Sequence, residues 1–384
     1  MARTEISRVR RNFWEAVAAL MGHIIGAGVL GLPFVVSRVG IVIGVPCLIL
    51  LGLVSMLLNL IIAEVMLRTR YRHQISGLVR KYIGRFGKHI VSLGIALSVY
   101  GSLTAYTIGE GNIIASLLGR PDQASIFSLI FLLVSALILY FGLSLTRHLH
   151  KWMIAAILGI IFIIVIVGLS HFNVSNLYWS DWSQTLSLYG VVIFSFAGTG
   201  SVFTVVEILR GEKRYIKRAI MTASLVPIVL YVLFTLVVVG VLGLSTPEIA
   251  TVGLAQALGP GVGWLSNVFA LLAMFSGFMA VGLSLKQMYR YDYNLPDWLS
   301  WLAVIAGPVI VFLFISHDFI EVISAAGSLS FGVIGVLMLL SFYRSRRVGD
   351  QKPVFQIKLP LVLGALLALA FIFGLIYTLT TLAS

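Results

Sequence analysis

The sequence predicts an all-α membrane protein of about eleven transmembrane helices, arranged as two five-helix sets of opposite orientation with an eleventh helix left over. Three observations carry that prediction. The 384 residues are 59% hydrophobic and only 11% charged, whereas soluble domains run at about 45–50% and about 25%. The apolar stretches have the length, roughly 20 residues at 1.5 Å rise, that crosses a hydrocarbon core about 30 Å thick. Glycine-rich interruptions recur in the first and sixth stretches. The apolar runs are continuous rather than alternating, which excludes a strand barrel. Backbone groups in lipid must be satisfied within their own segment, which leaves helix.

In chain order the spans lie near 13–37, 41–67, 90–117, 125–145, 152–170, 186–208, 219–243, 263–287, 299–315, 319–343 and 359–382. Span one is too long for a signal-peptide core and leads straight into span two, so it is expected to be retained. No connection exceeds 22 residues, and no separate soluble domain is expected. The chain therefore reads as one transmembrane domain. Residues 1–145 with 152–170 form the first five-helix repeat, 186–343 the second, and 359–382 the accessory eleventh helix.

Charge orients the spans. With the N-terminus in the cytoplasm, 25 of the 27 Lys and Arg residues fall on the cytoplasmic side, and only Arg38 and Arg120 fall outside. That is the positive-inside pattern. It predicts a multi-pass protein of a prokaryotic inner membrane with its C-terminus outside. The net charge of +13 is then topological, with some attraction to anionic headgroups of the bilayer, and calls for no nucleic-acid partner. Cys47 is the sole cysteine, so neither an intrachain disulfide nor a cysteine-rich metal site exists, and no cofactor is expected.

The interruptions are Gly26-Ala27-Gly28 in span one, with Gly22, Gly31 and Pro33 nearby, and Gly198-Thr199-Gly200 in span six, preceded by Ser195-Phe196-Ala197. Each Gly costs a helix about 1 kcal/mol relative to Ala and frees the chain from helical angles. A single Gly-x-Gly is more often a packing device. Two of them, opening consecutive sets of five helices, argue otherwise. Five is odd, so the second set enters the membrane in the opposite sense, the pattern of an inverted repeat with broken helices. Gly26–Gly31 also matches the dinucleotide fingerprint G-x-G-x-x-G, but that motif needs a preceding strand in a βαβ unit. Inside a lipid-spanning helix it has no such meaning.

A broken helix leaves amide donors on one half and carbonyl acceptors on the other, with partial positive and negative charge respectively. A zwitterion suits both. Its carboxylate would bind the amides of Ala27, Gly28 and Val29, and its ammonium would face carbonyls near His23, Ile24, Ser195 and Phe196. Complementarity of this kind selects an α-amino-acid moiety.

Gly26-Ala27-Gly28-Val29-Leu30-Gly31-Leu32-Pro33-Phe34 resembles the first-helix motif of the amino acid–polyamine–organocation superfamily, and within it the amino acid/auxin permeases and the bacterial aromatic and hydroxy amino acid permeases. Phe194-Ser195-Phe196-Ala197-Gly198 resembles their sixth-helix break, and Ala105-Tyr106-Thr107-Ile108-Gly109-Glu110 their third helix. The resemblance implies the LeuT-type fold of five plus five inverted helices. It also implies a symporter of neutral amino acids, aromatic or hydroxy ones among the candidates. Substrate held at half-helix ends is an arrangement already typical of that fold, so the zwitterion geometry and the resemblance are not independent of one another.

Tyr106 and Glu110 share a helix face at i,i+4. The resemblance places an acidic residue of this helix near the substrate, leaving Glu110 a substrate or proton role against a structural hydrogen bond. His23 lies one turn before the first break, and imidazole titrates near neutral pH. In sodium-coupled relatives this neighbourhood holds the ion, which here would be the backbone around Gly22 and Ile25 with Ser276 and Ser284 of span eight. A protonated His23 would repel a cation, so protons are favoured over sodium as coupling ion. Span five carries no mid-membrane lysine, since Lys151 lies at its start. The acids Glu15, Glu64 and Glu207 near the basic ends of spans read as gate or anchoring partners for arginines. Phe194, Phe196, Phe203, Phe275 and Phe278 could form an aromatic pocket. The loop 245–263 resembles an outer lid. The basic loop 68–88 is expected to be solvated, with an inner gate as the sharper alternative.

A membrane-embedded enzyme would need a nucleophile with its base, or paired metal ligands. There is no GxSxG or HExxH, and His148 and His150 sit in a short loop without acidic company. A non-transporting amino-acid sensor and a carrier of another organic cation remain as alternatives on the same scaffold.

Overall fold

A computed structural model describes residues 2–71, 73–141, 144–314 and 318–383, with backbone alone for 2–6, 144–153 and 382–383. Span one is two helices, α1 (Ala2–Ile24) and α2 (Gly28–Val39), whose axes meet at 52°. Span two is α3 (Ile41–Leu67), followed by a short helix α4 (Ile75–Tyr82). Spans three to five are α5 (Arg85–Leu117), α6 (Ala124–Phe141) and α7 (Ser144–Leu169). Span six is again divided, into α8 (Leu188–Ser195) and α9 (Val202–Ile208), with a 3₁₀ turn at Thr199–Ser201 between them. Then come α10 (Ile216–Leu242), the short α11 (Ala250–Ala257), α12 (Pro260–Asp292) and α13 (Asp297–Phe314). Span ten is α14 (Phe319–Leu329) and α15 (Val336–Val348) joined by a π-helical segment, Ser330–Gly335, and span eleven is α16 (Leu361–Ala383).

Nine helical runs among the described residues are long and apolar enough to cross a membrane, and the bent pair α1–α2 makes a tenth. The remaining expected span is α7, whose apolar part is Ile154–Leu169. α7 starts earlier than the sequence suggested. Its backbone is already helical at His148, His150 and Lys151, which the apolar boundary had put in a loop or at the span's start; their side chains lie outside the described residues.

Lipid tails are as apolar as leucine, so association rests on close packing, which small residues permit. A Cβ on Gly101 of α5 would lie 2.9 Å from that of Ala326 in α14, and one on Gly94 would meet Val333 of the π segment at 2.6 Å. Ser98 seals this contact by donating to the Ala326 carbonyl at 2.7 Å. Span eleven is more than a leftover. Phe371 stacks edge-on against Phe331 at 5.3 Å, Leu375 fills the space over Gly332, and Ser328 and Thr378 share a buried hydrogen bond of 2.7 Å. α16 thus buttresses the π segment from the lipid side. At the opposite end of span one, Gly40 turns the chain with φ +93°, and a Cβ there would strike the Trp179 carbonyl at 2.1 Å.

The basic ends of the spans are tied together rather than loosely solvated. Fully buried Glu64 accepts from Arg68 at 2.8 and 3.0 Å, lies 3.8 Å from Arg346 and accepts the Ile357 amide. Asp350 accepts from the Arg70 amide and from Lys81, and Asp292 accepts from Ser76. α4 accordingly packs inward on Ser76, Leu78, Val79 and Tyr82. This corrects the solvated-loop expectation for that stretch, and the reason is its amphipathic pattern: the apolar face finds α5 and α15, and the ion pairs stay at the rim. Glu15, by contrast, is an exposed partner of Arg11 at 3.8 Å.

Both kinds of carboxylate can be tested. Glu64→Ala strands two guanidinium groups and should cost about 3–5 kcal/mol, read as a lower unfolding temperature of the purified protein. In the loop before α11, burial together with the charges of Asp318 and Glu321 pushes Glu248 from its ordinary 4.5 up to about 6. The docked loop therefore holds the proton more tightly than a free carboxyl. Its contribution is complete below pH 4.5 and lost as pH rises through about 6. Hydrogen exchange over 246–257 should quicken across that window, and Glu248→Gln should flatten the change.

Candidate functional site

The two interruptions meet. A Cβ on Gly28 would stand 2.5 Å from both Cα and Oγ of Ser195, so the start of α2 lies directly on the end of α8. At the first break Ile25 N–H still donates to Met21 O at 2.7 Å and Gly26 N–H to Ile24 O at 3.0 Å. The amides of Ala27, Gly28 and Val29 have no backbone acceptor among the described residues, and no side chain caps α2. These are the orphan donors of a helix N-terminus, and the partial positive charge of the α2 dipole lies on them.

The acceptor side is treated differently. Tyr231 of α10 donates to the Ile24 carbonyl at 2.9 Å, and Ser55 of α3 donates to the Phe196 carbonyl at 2.6 Å. Two of the four carbonyls expected to face an ammonium group are therefore engaged by the protein itself. In lipid a bare carbonyl costs several kcal/mol, and neighbouring hydroxyls remove that cost. The Ser195 carbonyl accepts no hydrogen bond among the described residues.

A cavity opens beside the breaks. Of the expected residues, Gly26, Gly28, Ala197, Thr199, Gly200, Tyr106, His23 and Ser284 line it. Tyr106 is wedged between spans one and eight: its hydroxyl is 2.7 Å from a Cβ on Gly26 and 2.8 Å from one on Gly277. His23 and Ser284 converge on Gly200, each 3.1 Å from where its Cβ would stand. The hydroxyls of Tyr106, Thr199 and Ser284 make no hydrogen bond among the described residues.

Other expected residues stand back from the cavity. Ala27, Val29, Ser195, Phe196 and Ile25 are buried in the packing around the breaks. Gly22 and Gly198 are also off the lining, Gly198 being covered by Leu20, Ile24 and Asn59. Ser276 is buried one residue before Gly277 and does not reach the cavity. Glu110 is 2% exposed and faces the backbone of Phe275 on α12, away from the lining. It stands one helical turn beyond Tyr106 and is not among the residues that line the cavity. Of the five phenylalanines, Phe194 and Phe203 line the cavity, while Phe196, Phe275 and Phe278 do not.

Several lining residues were not singled out from sequence. Ser98 and Ser102 lie on α5 toward the basic end from Tyr106, and His73, Gln74, Ile75 and Ser76 close the basic end at the start of α4. Ser330 and Ile334 come from the π segment. The available signal was small polar residues inside apolar runs, but serines of that kind are scattered over most spans.

Interrupted helices meeting at a cavity, within a bundle of long apolar helices, define a membrane transporter of the LeuT type. The chain belongs to the tryptophan/tyrosine permease family, whose pattern matches residues 9–381. It is 24% identical to tyrosine-specific transport system 1 of Haemophilus influenzae over 86% of this chain and 88% of that protein. It is 19% identical to glutamine transporter 2 of Aliivibrio fischeri over 80% and 82%. Its fold matches the crystal structure of MhsT in complex with L-phenylalanine, with a TM-score of 0.68 at 14% identity, covering 95% of this chain and 97% of that one. The protein is an amino acid transporter, not an enzyme.

Gly28→Val tests the meeting of the breaks. The branched side chain must push α8 away from α2, so amino acid binding should fall by more than about 100-fold while membrane insertion, followed by expression and gel filtration, is kept.

Proposed function

We propose that this protein is a secondary active symporter of neutral amino acids, aromatic ones foremost, driven by a proton gradient in preference to a sodium gradient and working by alternating access. The observation that carries the reading is the pair of breaks in contact at Gly28 and Ser195 beside the cavity. The substrate carboxylate would take the amides of Ala27, Gly28 and Val29, a helix N-terminus suited to an anion. Its ammonium would take the Ser195 carbonyl and the dipole of the α8 C-terminus. The names of the tyrosine-specific and glutamine relatives favour neutral side chains, and Tyr106, Phe194 and Phe203 favour a ring.

The remaining assignments belong to the same reading. The chain is taken as a member of the amino acid–polyamine–organocation superfamily. Its repeats are 1–145 with 152–170, and 186–343. The basic side is cytoplasmic and the C-terminus lies outside. The cavity extends to His73–Ser76 at the basic end, which supports an inward-open state, with α4 as the moving inner gate released from Asp292 and Asp350. His23, beside Gly200 and Ser284, is the proposed proton carrier, and a charged imidazole there would exclude sodium. Glu110 keeps a structural or proton-related role outside the substrate contact.

Proteoliposomes decide it. Labelled tyrosine, tryptophan, phenylalanine and glutamine should exchange, and an inward proton gradient should drive accumulation where a sodium gradient does not. No exchange for any amino acid would sink the substrate assignment. His23→Gln should keep exchange but lose accumulation driven by the proton gradient by at least about tenfold; unchanged accumulation would rule out His23 as the carrier.

A further inference from the structure

Span ten changes its winding where it reaches the cavity. A π turn is rare, occurs mostly as a single insertion in an α-helix, and often marks a functional site. Here it covers Ser330–Gly335 in an otherwise α-helical span, and it brings two side chains of that segment, Ser330 and Ile334, into the cavity wall. Ser330 is 3% exposed, and its hydroxyl has no hydrogen-bond partner among the described residues. The neighbouring hydroxyls on α5 are already engaged: Ser98 donates to Ala326 O at 2.7 Å and Ser102 to Ser98 O at 2.8 Å. Of the span-three and span-ten hydroxyls that line the cavity, this leaves Tyr106 beside the first break and Ser330 on the π segment to meet a solute.

The wall is also closely packed from behind. Behind it stand Phe371 and Leu375 of α16, and Gly94 of α5 admits Val333 at close range. One turn before Ser330, Gly327 lies against Phe194 of span six; a Cβ there would approach the Phe194 amide nitrogen at 2.7 Å. The π segment therefore lies next to the second break, on the basic-end side of it. A substrate whose α-carbon groups occupy the breaks would direct its side chain toward this wall and the open end of the cavity.

We propose that the π segment of span ten forms the side-chain subsite, in which the Ser330 hydroxyl pairs with a hydrogen-bonding group at the far end of the substrate side chain and Ile334 limits its size. This rests on the proposed function above. The class of side chain it selects is an aromatic ring bearing a phenol or an indole N–H. A site built to pair with such a group discriminates against the analogue that lacks it, because its own polar atom is then left unpaired.

The test uses the purified full chain in lipid nanodiscs with labelled tyrosine displaced by unlabelled tyrosine, tryptophan, phenylalanine and leucine. Ser330→Val and Ser330→Thr have matched shape and differ in the hydroxyl. Ser330→Val should weaken tyrosine about 5–20-fold and phenylalanine less than about 2-fold, while Ser330→Thr keeps the wild-type preference. Ile334→Phe should weaken tryptophan more than leucine. A merely structural role would make Val and Thr behave alike and shift all four ligands together, and that result would overturn the subsite. If wild-type protein binds none of the four, the function assignment itself fails. If wild type binds and the Ser330 pair leaves the preference untouched, only the subsite fails.

Discussion

Everything in this molecule follows from one constraint: a peptide group exposed in lipid has to find a partner inside the protein or a solute in a cavity. At the two breaks the protein meets half of that requirement itself. Tyr231 and Ser55 reach across from α10 and α3 to take the carbonyls of Ile24 and Phe196. The amides of Ala27, Gly28 and Val29 are left for something else. The asymmetry has chemical content, because it makes the first break an anion-seeking end while holding its shape from the carbonyl side.

That shape depends on helices standing closer than ordinary side chains allow. Gly28 on Ser195 joins the breaks, and Gly26 and Gly277 make room for the Tyr106 ring between spans one and eight. Gly94 and Gly101 bring span three against span ten. With no hydrophobic drive between helices in lipid, such contacts supply much of the cohesion. They also make the breaks a joint between spans rather than a slack loop within one.

Polar ties gather at the basic rim. Glu64 holds Arg68, Arg346 and the Ile357 amide together, and Asp292 and Asp350 hold α4 by Ser76 and Lys81. A helix that lines the cavity with Ile75 and Ser76 is thus held at its rim by a few charged contacts, in addition to the packing of Leu78, Val79 and Tyr82. Such charged contacts contribute little net energy when exposed, in keeping with the proposed role of α4 as an inner gate. The core contacts around Tyr231 and Phe196 are of the opposite kind, deep and dry.

By itself the sequence determined the all-helical membrane class, the positions of nearly all spans and the two interruptions. These are local properties: apolar length, glycine pairs and their place in an odd repeat are written along the chain. It also led to Gly26, Gly28, Thr199 and His23, which sit at or one turn from the breaks, and through the family resemblance to Tyr106 and Ser284; all six line the cavity. What only the tertiary structure decided was which polar atoms are already satisfied and which face the cavity. The hydroxyls of Tyr231 and Ser55 are far from the breaks in sequence, and Glu110, though on the face of Tyr106, lies one turn too far along. The π winding of span ten leaves no mark in an apolar run, and the contacts packed against it come from α5 and α16, distant in sequence. A hydrogen-bond partner is a relation between spans, and periodicity along one span carries no information about it.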